Sequence, residues 1–389
     1  MTNLEIRTTL LNTLFNFAAT LVSSFVSVYL YVYADSLIIM SIYTIIRIGL
    51  FPVSFILGSK ISKKVPFTYT YTIGLILITC SLIYILSGTA LFIRNRYYVL
   101  IAALITGVGE GFYYFSANTC NQVVSSVETR AKFLAYNGIF NNVASLMAPF
   151  VSNLIINRAS DDMRGYTVIL YLTVIIYVCV VAIALTINKK SDDNDISLLS
   201  VLSLKDERWK DHQLAVFFYG LNNSMALTLM TILIFNAAKN GDVYSKLQTF
   251  FALICILSYR LVAKKMNKES IDKTINFGVI LKISSTAMLV LFTNMFGAIY
   301  YGITNALATA FFDNTYNYLS ATIIGKYPEE MTARVVVREV ILSLGRCMGM
   351  AFIILCYSIL PENLYLKVSV IILSIMPIFV KKTLMKYNR

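Results

Sequence analysis

One histidine, one tryptophan and six prolines in 389 residues rule out several kinds of protein at once. The lone His212 lies in a charged stretch, so neither a histidine-built metal centre nor a histidine-based catalytic cluster is available. The six cysteines (Cys80, Cys120, Cys179, Cys255, Cys347, Cys356) all fall inside apolar runs, at no spacing that suggests a disulfide or a zinc site. Charged residues are scarce at 14%, against about a quarter in an ordinary soluble domain. No Gly-Lys-Ser/Thr phosphate loop is present, which leaves direct ATP drive without support. The first apolar run begins near Thr8, is long enough to span and lacks a small-residue cleavage site, so no cleaved signal peptide is expected. Neither catalysis nor a cofactor nor a metal is expected.

What the chain has instead is apolar length. Hydrophobic residues make up 58% of it, with a mean hydropathy of +0.71, more than one globular core buries. The excess comes in runs of about 20 residues, the length at which a helix crosses a hydrocarbon layer roughly 30 Å thick. Twelve spans are expected, at 9–33, 37–58, 66–88, 98–122, 134–157, 166–187, 214–237, 243–262, 274–294, 298–322, 335–358 and 364–381. With the N-terminus inside, Arg7, Lys60, Lys63, Lys64, Arg130, Lys189, Lys190, Lys264, Lys265, Lys326, Lys381 and Lys382 all fall on the cytoplasmic side. The outer loops hold only Arg94, Arg96, Arg158, Arg164 and Lys239. This asymmetry places both termini in the cytoplasm of a multi-pass cell-membrane protein, and it accounts for the net charge of +13 without nucleic acid.

The expected organisation is an N-terminal bundle over 1–187, a cytoplasmic linker over 188–213 and a C-terminal bundle over 214–389. The linker carries the acidic run Asp192-Asp193-Asn194-Asp195. Its part from Leu198 to Trp209 reads either as an amphipathic helix at the interface or as a solvated segment with a lipid-touching tryptophan. Sliding the chain by 204 positions lays Lys60 on Lys264, Gly74 on Gly278, Arg130 on Arg334, and Tyr114-Phe115-Ser116-Ala117 on Tyr318-Leu319-Ser320-Ala321. The matches together indicate duplication of a six-helix unit in one orientation.

Gly58-Ser59-Lys60-Ile61-Ser62-Lys63-Lys64, after the second span, is similar to the glycine-acid-basic loop of the major facilitator superfamily, with Ser62 where an aspartate is usual. Ala144-Ser145-Leu146-Met147-Ala148-Pro149 resembles the fifth-span motif of its drug antiporters, with alanines for glycines. The fourth span holds Gly107-Val108-Gly109-Glu110-Gly111, with Leu104 where antiporters place an arginine. The chain resembles that superfamily over nearly its whole length. The resemblance implies an all-α membrane protein of twelve transmembrane helices. They form two six-helix bundles about a pseudo-two-fold axis along the membrane normal, with a substrate site between them.

A charge at bilayer depth costs about 3 kcal/mol on insertion scales, so each needs a partner, a wet cavity or a task. Glu110 in the fourth span is the first candidate for proton coupling. A carboxyl held between burial, which favours its neutral form, and a cation, which favours its charged form, can take and release a proton. The plain alternative is a structural pair with Arg47. Asp313, within a residue of the position the repeat pairs with Glu110, is the second proton candidate, or else a partner for Arg346 or Lys282. Lys282 is expected to snorkel along lipid. Asn16, Arg47, Tyr113, Tyr114, Asn222, Asn223, Tyr316 and Arg346 complete the expected substrate cavity, although the amides read equally well as helix-to-helix bonds. Tyr29, Tyr31 and Tyr33 read as interfacial belt.

The expected function is proton-coupled efflux of a small amphipathic compound by a monomeric carrier. The alternatives are a lipid or lipid-linked glycan flippase, or an exporter of an anionic product. Import of a polar nutrient by proton symport and a non-transporting sensor rank below these.

Overall fold

Inside a bilayer no water satisfies a backbone N–H or C=O, so apolar runs of this length close their hydrogen bonds as helices. The computed structural model describes residues 2–124, 130–187, 198–204, 206–226, 229–265, 271–324, 326, 330–361 and 364–387. Among the described residues there are helices and short connections and no strand. The chain divides into two compact units, Met1–Ile196 and Ser197–Arg389. The acidic run Asp192–Asp195 and the side chain of Arg130 lie outside the described residues.

The first unit holds α1 (Asn3–Ala34), α2 (Leu37–Gly49), α3 (Phe51–Ser62), α4 (Phe67–Ser87), the short α5 (Thr89–Arg94), α6 (Val99–Val124), α7 (Arg130–Arg158) and α8 (Asp162–Ala184). Local chemistry sets the ends. Thr2 and Glu5 form a reciprocal capping box at the start of α1. Asp35 turns the chain in a left-handed conformation (φ 45°) before Ser36 caps α2, and Asp161 caps α8. The expected second span is two helices rather than one. Pro52, in the first turn of α3, has no N–H to continue the ladder, and the break falls at Leu50.

The second unit holds α9 (Leu198–Leu202), α10 (Glu207–Ala226), α11 (Leu229–Ala238), α12 (Gly241–Lys265), α13 (Ile271–Leu291), α14 (Met295–Ala308), a π-helical turn (Thr309–Asp313), α15 (Asn314–Ile324), α16 (Met331–Ile359), α17 (Tyr365–Ser374) and α18 (Met376–Leu384). Among the described residues, ten helical stretches are long and apolar enough to cross a membrane. The other two expected spans are occupied by α12 and by α17 with α18, which Pro377 separates. Packing repeats between the units: α1 pairs with α7 as α10 pairs with α16, and α4 with α6 as α13 with α14.

Large apolar side chains lie on the outside of both units, among them Leu104, Ile175, Val178 and Ile280. That surface suits lipid, not water. Tyr29, expected in the belt, is instead buried, its ring 5.2 Å from that of Tyr33.

The end of the expected linker is structure rather than loop. Helix α10 begins at Glu207, and Trp209 is wholly buried, so it touches neither lipid nor water. Its Nε1–H donates to the Val201 carbonyl at 2.9 Å, its ring stacks on His212, and the Arg334 guanidinium lies 4.5 Å above it. His212, also buried, is hydrogen-bonded through Nε2 to Ser320 Oγ at 2.8 Å. Helix α9 rests against α16, so the last part of the linker is bound to the second unit.

Candidate functional site

In the first unit the site begins with the break at Leu50, which leaves Arg47 in the last turn of α2, where a cation suits the helix C-terminus. Gly107 then lets α6 lie directly on the α2 backbone. A Cβ there would sit 2.9 Å from Arg47 Cα and closer still to its carbonyl. One turn further along α6 is Glu110, and the two side chains form a bidentate pair. Nε of Arg47 donates to Oε2 at 2.7 Å and Nη2 to Oε1 at 2.5 Å. The side chains are 21% and 14% exposed. A cavity of about 70 Å³ borders the pair, walled by Ser27, Tyr43, Thr106, Tyr114 and Tyr177 with apolar residues of α1 and α4. The Tyr43 hydroxyl is buried beside Thr106, which bonds Ser81 at 2.6 Å.

The second unit places its own pair differently. Lys282 of α13 reaches Oδ2 of Asp313 at 3.1 Å and Oδ1 of Asn305 at 3.3 Å. Lys282 does not snorkel along lipid; its side chain is 8% exposed. Asp313 closes the π turn, whose Asn314 N–H bonds back to the Thr309 carbonyl. An extra residue in one turn rotates the later side chains by about 100°, which is how a π turn re-aims them. On α16, Arg346 donates to Asn223 Oδ1 at 3.0 Å and lies 3.6 Å from Glu339, which Arg338 also approaches at 3.7 Å.

The remaining expected residues separate into two groups. Tyr114 is 38% exposed and edges the cavity. Tyr113 is buried against Phe15, Tyr316 is buried and stacked on Tyr219 at 3.9 Å, and Asn222 is buried with its amide on the Leu373 carbonyl. Each of these three is buried against a neighbour in its own unit. Asn16 bridges α1 to α7 through the Asn141 carbonyl and Ser145 Oγ, each at 2.9 Å.

Reading the sequence alone missed Tyr43, Thr106, Tyr177 and Asn305 as parts of these sites. Tyr43 was findable, one turn before Arg47 on the same helix face. Among the described residues no three His, Cys, Asp or Glu side chains come together as a metal site would require.

The family model of the Major Facilitator Superfamily matches residues 8–352. The chain belongs to that superfamily. It is therefore a multi-pass membrane transporter of small molecules, not an enzyme. The transporter is similar in sequence to a Bacillus subtilis protein named "Uncharacterized protein YqgE", 24% identical over 369 residues, covering 93% of this chain and 84% of that one. Among solved structures it is similar in fold to the nucleoside transporter NupG (TM-score 0.67, 14% identity, 99% of this chain and 100% of the other). It is likewise similar to a POT family transporter in complex with 5-aminolevulinic acid (0.71, 12%, 98% and 96%). A bacterial homologue of the iron transporter ferroportin in an outward-facing state matches as well (0.69, 12%, 99% and 99%). At such identities the likeness shows the fold alone.

Proposed function

We propose that the transporter is a proton-coupled secondary carrier that exports a small amphipathic compound by alternating access, as a monomer in the cell membrane with both termini cytoplasmic. The observation that carries this reading is the bidentate Arg47–Glu110 pair beside its cavity. About 70 Å³ is room for a few water molecules at about 30 Å³ each, far below the 300–1,000 Å³ typical of a ligand pocket. The place suits a proton rather than a substrate. Arg47 and a proton then compete for Glu110: with the pair closed the acid is charged, and with the pair open it is protonated. One charge moved through about 100 mV supplies roughly 2.3 kcal/mol, enough for a tens-fold gradient. The half-exposed Tyr114 beside the pair supports an amphipathic substrate. The test is proton-driven movement of a fluorescent amphipathic cation in proteoliposomes. Glu110→Gln is expected to lower it at least tenfold with the protein still folded; undiminished movement rejects the role.

One observation favours a second reading, export of an anionic product or flipping of an anionic lipid. Glu339 serves both Arg338 and Arg346, which leaves one positive charge in excess there. Against it, Arg47 and Lys282 each have a carboxylate of their own. Lipid scrambling by the same vesicles without a pH gradient would select this reading.

A further inference from the structure

The duplication supplies an internal control for the first unit. Its α1–α7 crossing carries a row of amides. Asn12 Nδ2 donates to Asn121 Oδ1 at 2.9 Å and Asn137 Oδ1 at 3.2 Å, and Asn16 reaches the Asn141 carbonyl and Ser145 Oγ. At 204 positions on, the second unit packs the same crossing, α10 on α16, with Val216 for Asn12, Gly220 for Asn16, Ile341 for Asn137, Gly345 for Asn141 and Gly349 for Ser145. There the backbones meet directly: a Cβ at Gly220 would lie 2.6 Å from the Leu342 carbonyl and 3.1 Å from Gly345 Cα. At these five positions the fold therefore closes the crossing without an amide, and its polar contact comes elsewhere, from Arg346 to Asn223. In the first unit the amide row is also imperfectly satisfied. Asn12 Oδ1 and Asn141 Oδ1 are buried with no hydrogen-bond partner, and Asn12 is 6% exposed. A buried unpaired acceptor costs about 1–3 kcal/mol, which packing alone gives no reason to retain.

Position along the helices gives the row a direction. On α1 the order from the N-terminal end is Asn12, Phe15 and Asn16, then Ala19 and Ser27 of the cavity wall. On α6 the order is reversed, Thr106 and Glu110, then Tyr113, then Asn121. Between Asn12 and the cavity on α1, and between Asn121 and the cavity on α6, stand Phe15 and Tyr113, stacked with ring centroids 3.4 Å apart and 15° between planes; Asn16 lies on the cavity side of the stack. Phe15 also lies 5.6 Å from Tyr177, itself part of the cavity wall. We infer that the amide row is a hydrated inlet, holding hydrogen-bonded water that carries protons from the N-terminal end of the bundle towards Glu110, with the Phe15–Tyr113 stack as its gate. Uncharged amides suit that task. They both donate and accept, and they hold water without binding a proton themselves. A water at each lone oxygen removes the penalty and extends the chain.

The inlet rests on the proton-coupled reading, and the experiment separates the two. Asn12→Val with Asn137→Ile installs the residues of the second unit. In proteoliposomes loaded with a pH dye, this double variant is expected to unfold thermally within a few degrees of the parent, while proton uptake under an imposed gradient falls at least tenfold. Phe15→Ala is expected to raise uptake several-fold, and the double variant to cancel that rise. Asn12→Cys is expected to react with a membrane-impermeant methanethiosulfonate added on the N-terminal side, above the background of the unsubstituted chain. A folded double variant with parental uptake overturns the inlet, and so does an unreactive Asn12→Cys. Should the double variant fail to fold, the labelling decides alone. If Glu110→Gln keeps parental uptake, proton coupling itself fails; if it abolishes uptake while the double variant does not, the inlet alone fails.

Discussion

Lys282 illustrates what a single buried charge requires. In lipid its ammonium would have to reach an interface; in the structure it meets Asp313 and Asn305 inside the second unit. Removing one member of a buried pair strands the other and typically destabilises by about 3–5 kcal/mol, whereas replacing both with apolar groups is often neutral. Lys282→Met is therefore expected to lower the thermal unfolding temperature sharply, and Lys282→Met with Asp313→Leu to recover most of it. A double variant no more stable than the single one would show that the pair does not act as a unit. Asn222 belongs to a milder class. Its bond to the Leu373 carbonyl is one interhelical contact of about 0.6 kcal/mol, so Asn222→Ala is expected to change stability little and transport not at all. The presence of Glu110 and Asp313 as intramembrane acids was legible in the sequence, and so was Arg47 as a partner for Glu110; whether Asp313 meets Lys282 or Arg346 was not, since that choice depends on which faces of two helices meet.

At the scale of elements, the π turn and the buried linker end both do what a uniform helix or a plain loop does not. Deleting Ala310 is expected to convert the π turn Thr309–Asp313 into ordinary helix and swing Asp313 off Lys282 by about 100°. The loss of stability should then match that of Lys282→Met, with no further loss when the two changes are combined. Trp209 fills the space between α9, α10 and α16, with a hydrogen bond, a ring stack and a cation on its faces. Trp209→Ala is expected to cost about 3–5 kcal/mol, as large core truncations do, and Trp209→Phe distinctly less, read from thermal unfolding of the purified protein. The sequence around it read either as an interfacial amphipathic helix or as a solvated segment, and a charged stretch does not reveal an indole folded back under an arginine. Helix ends follow local signals: Ser36 caps α2 and Asp161 caps α8, which begins at Asp162, four residues before the expected sixth span.

At the scale of the whole molecule, the distribution of basic residues supports the proposed orientation, which is directly measurable. A fluorescent protein fused after Arg389 is expected to fold and fluoresce on the cytoplasmic side, and a cysteine placed at Arg96 to be labelled only from outside. Labelling of that position from inside would invert the topology. Apolar run lengths by themselves determined the helical membrane class and the approximate limits of most spans, because these depend on local composition against the thickness of a bilayer. The superfamily resemblance rested on the topology together with the partial motifs at 58–64, 107–111 and 144–149. Tertiary structure alone decided how the duplicated units differ. Arg47 has Phe251 as its repeat counterpart, and Lys282 has Ile78, so each unit neutralises its acid from a different helix. The reason is geometric. Composition dictates that a segment crosses the membrane, but the partner of a side chain depends on close approach and helix rotation, which one glycine or one extra residue in a turn resets.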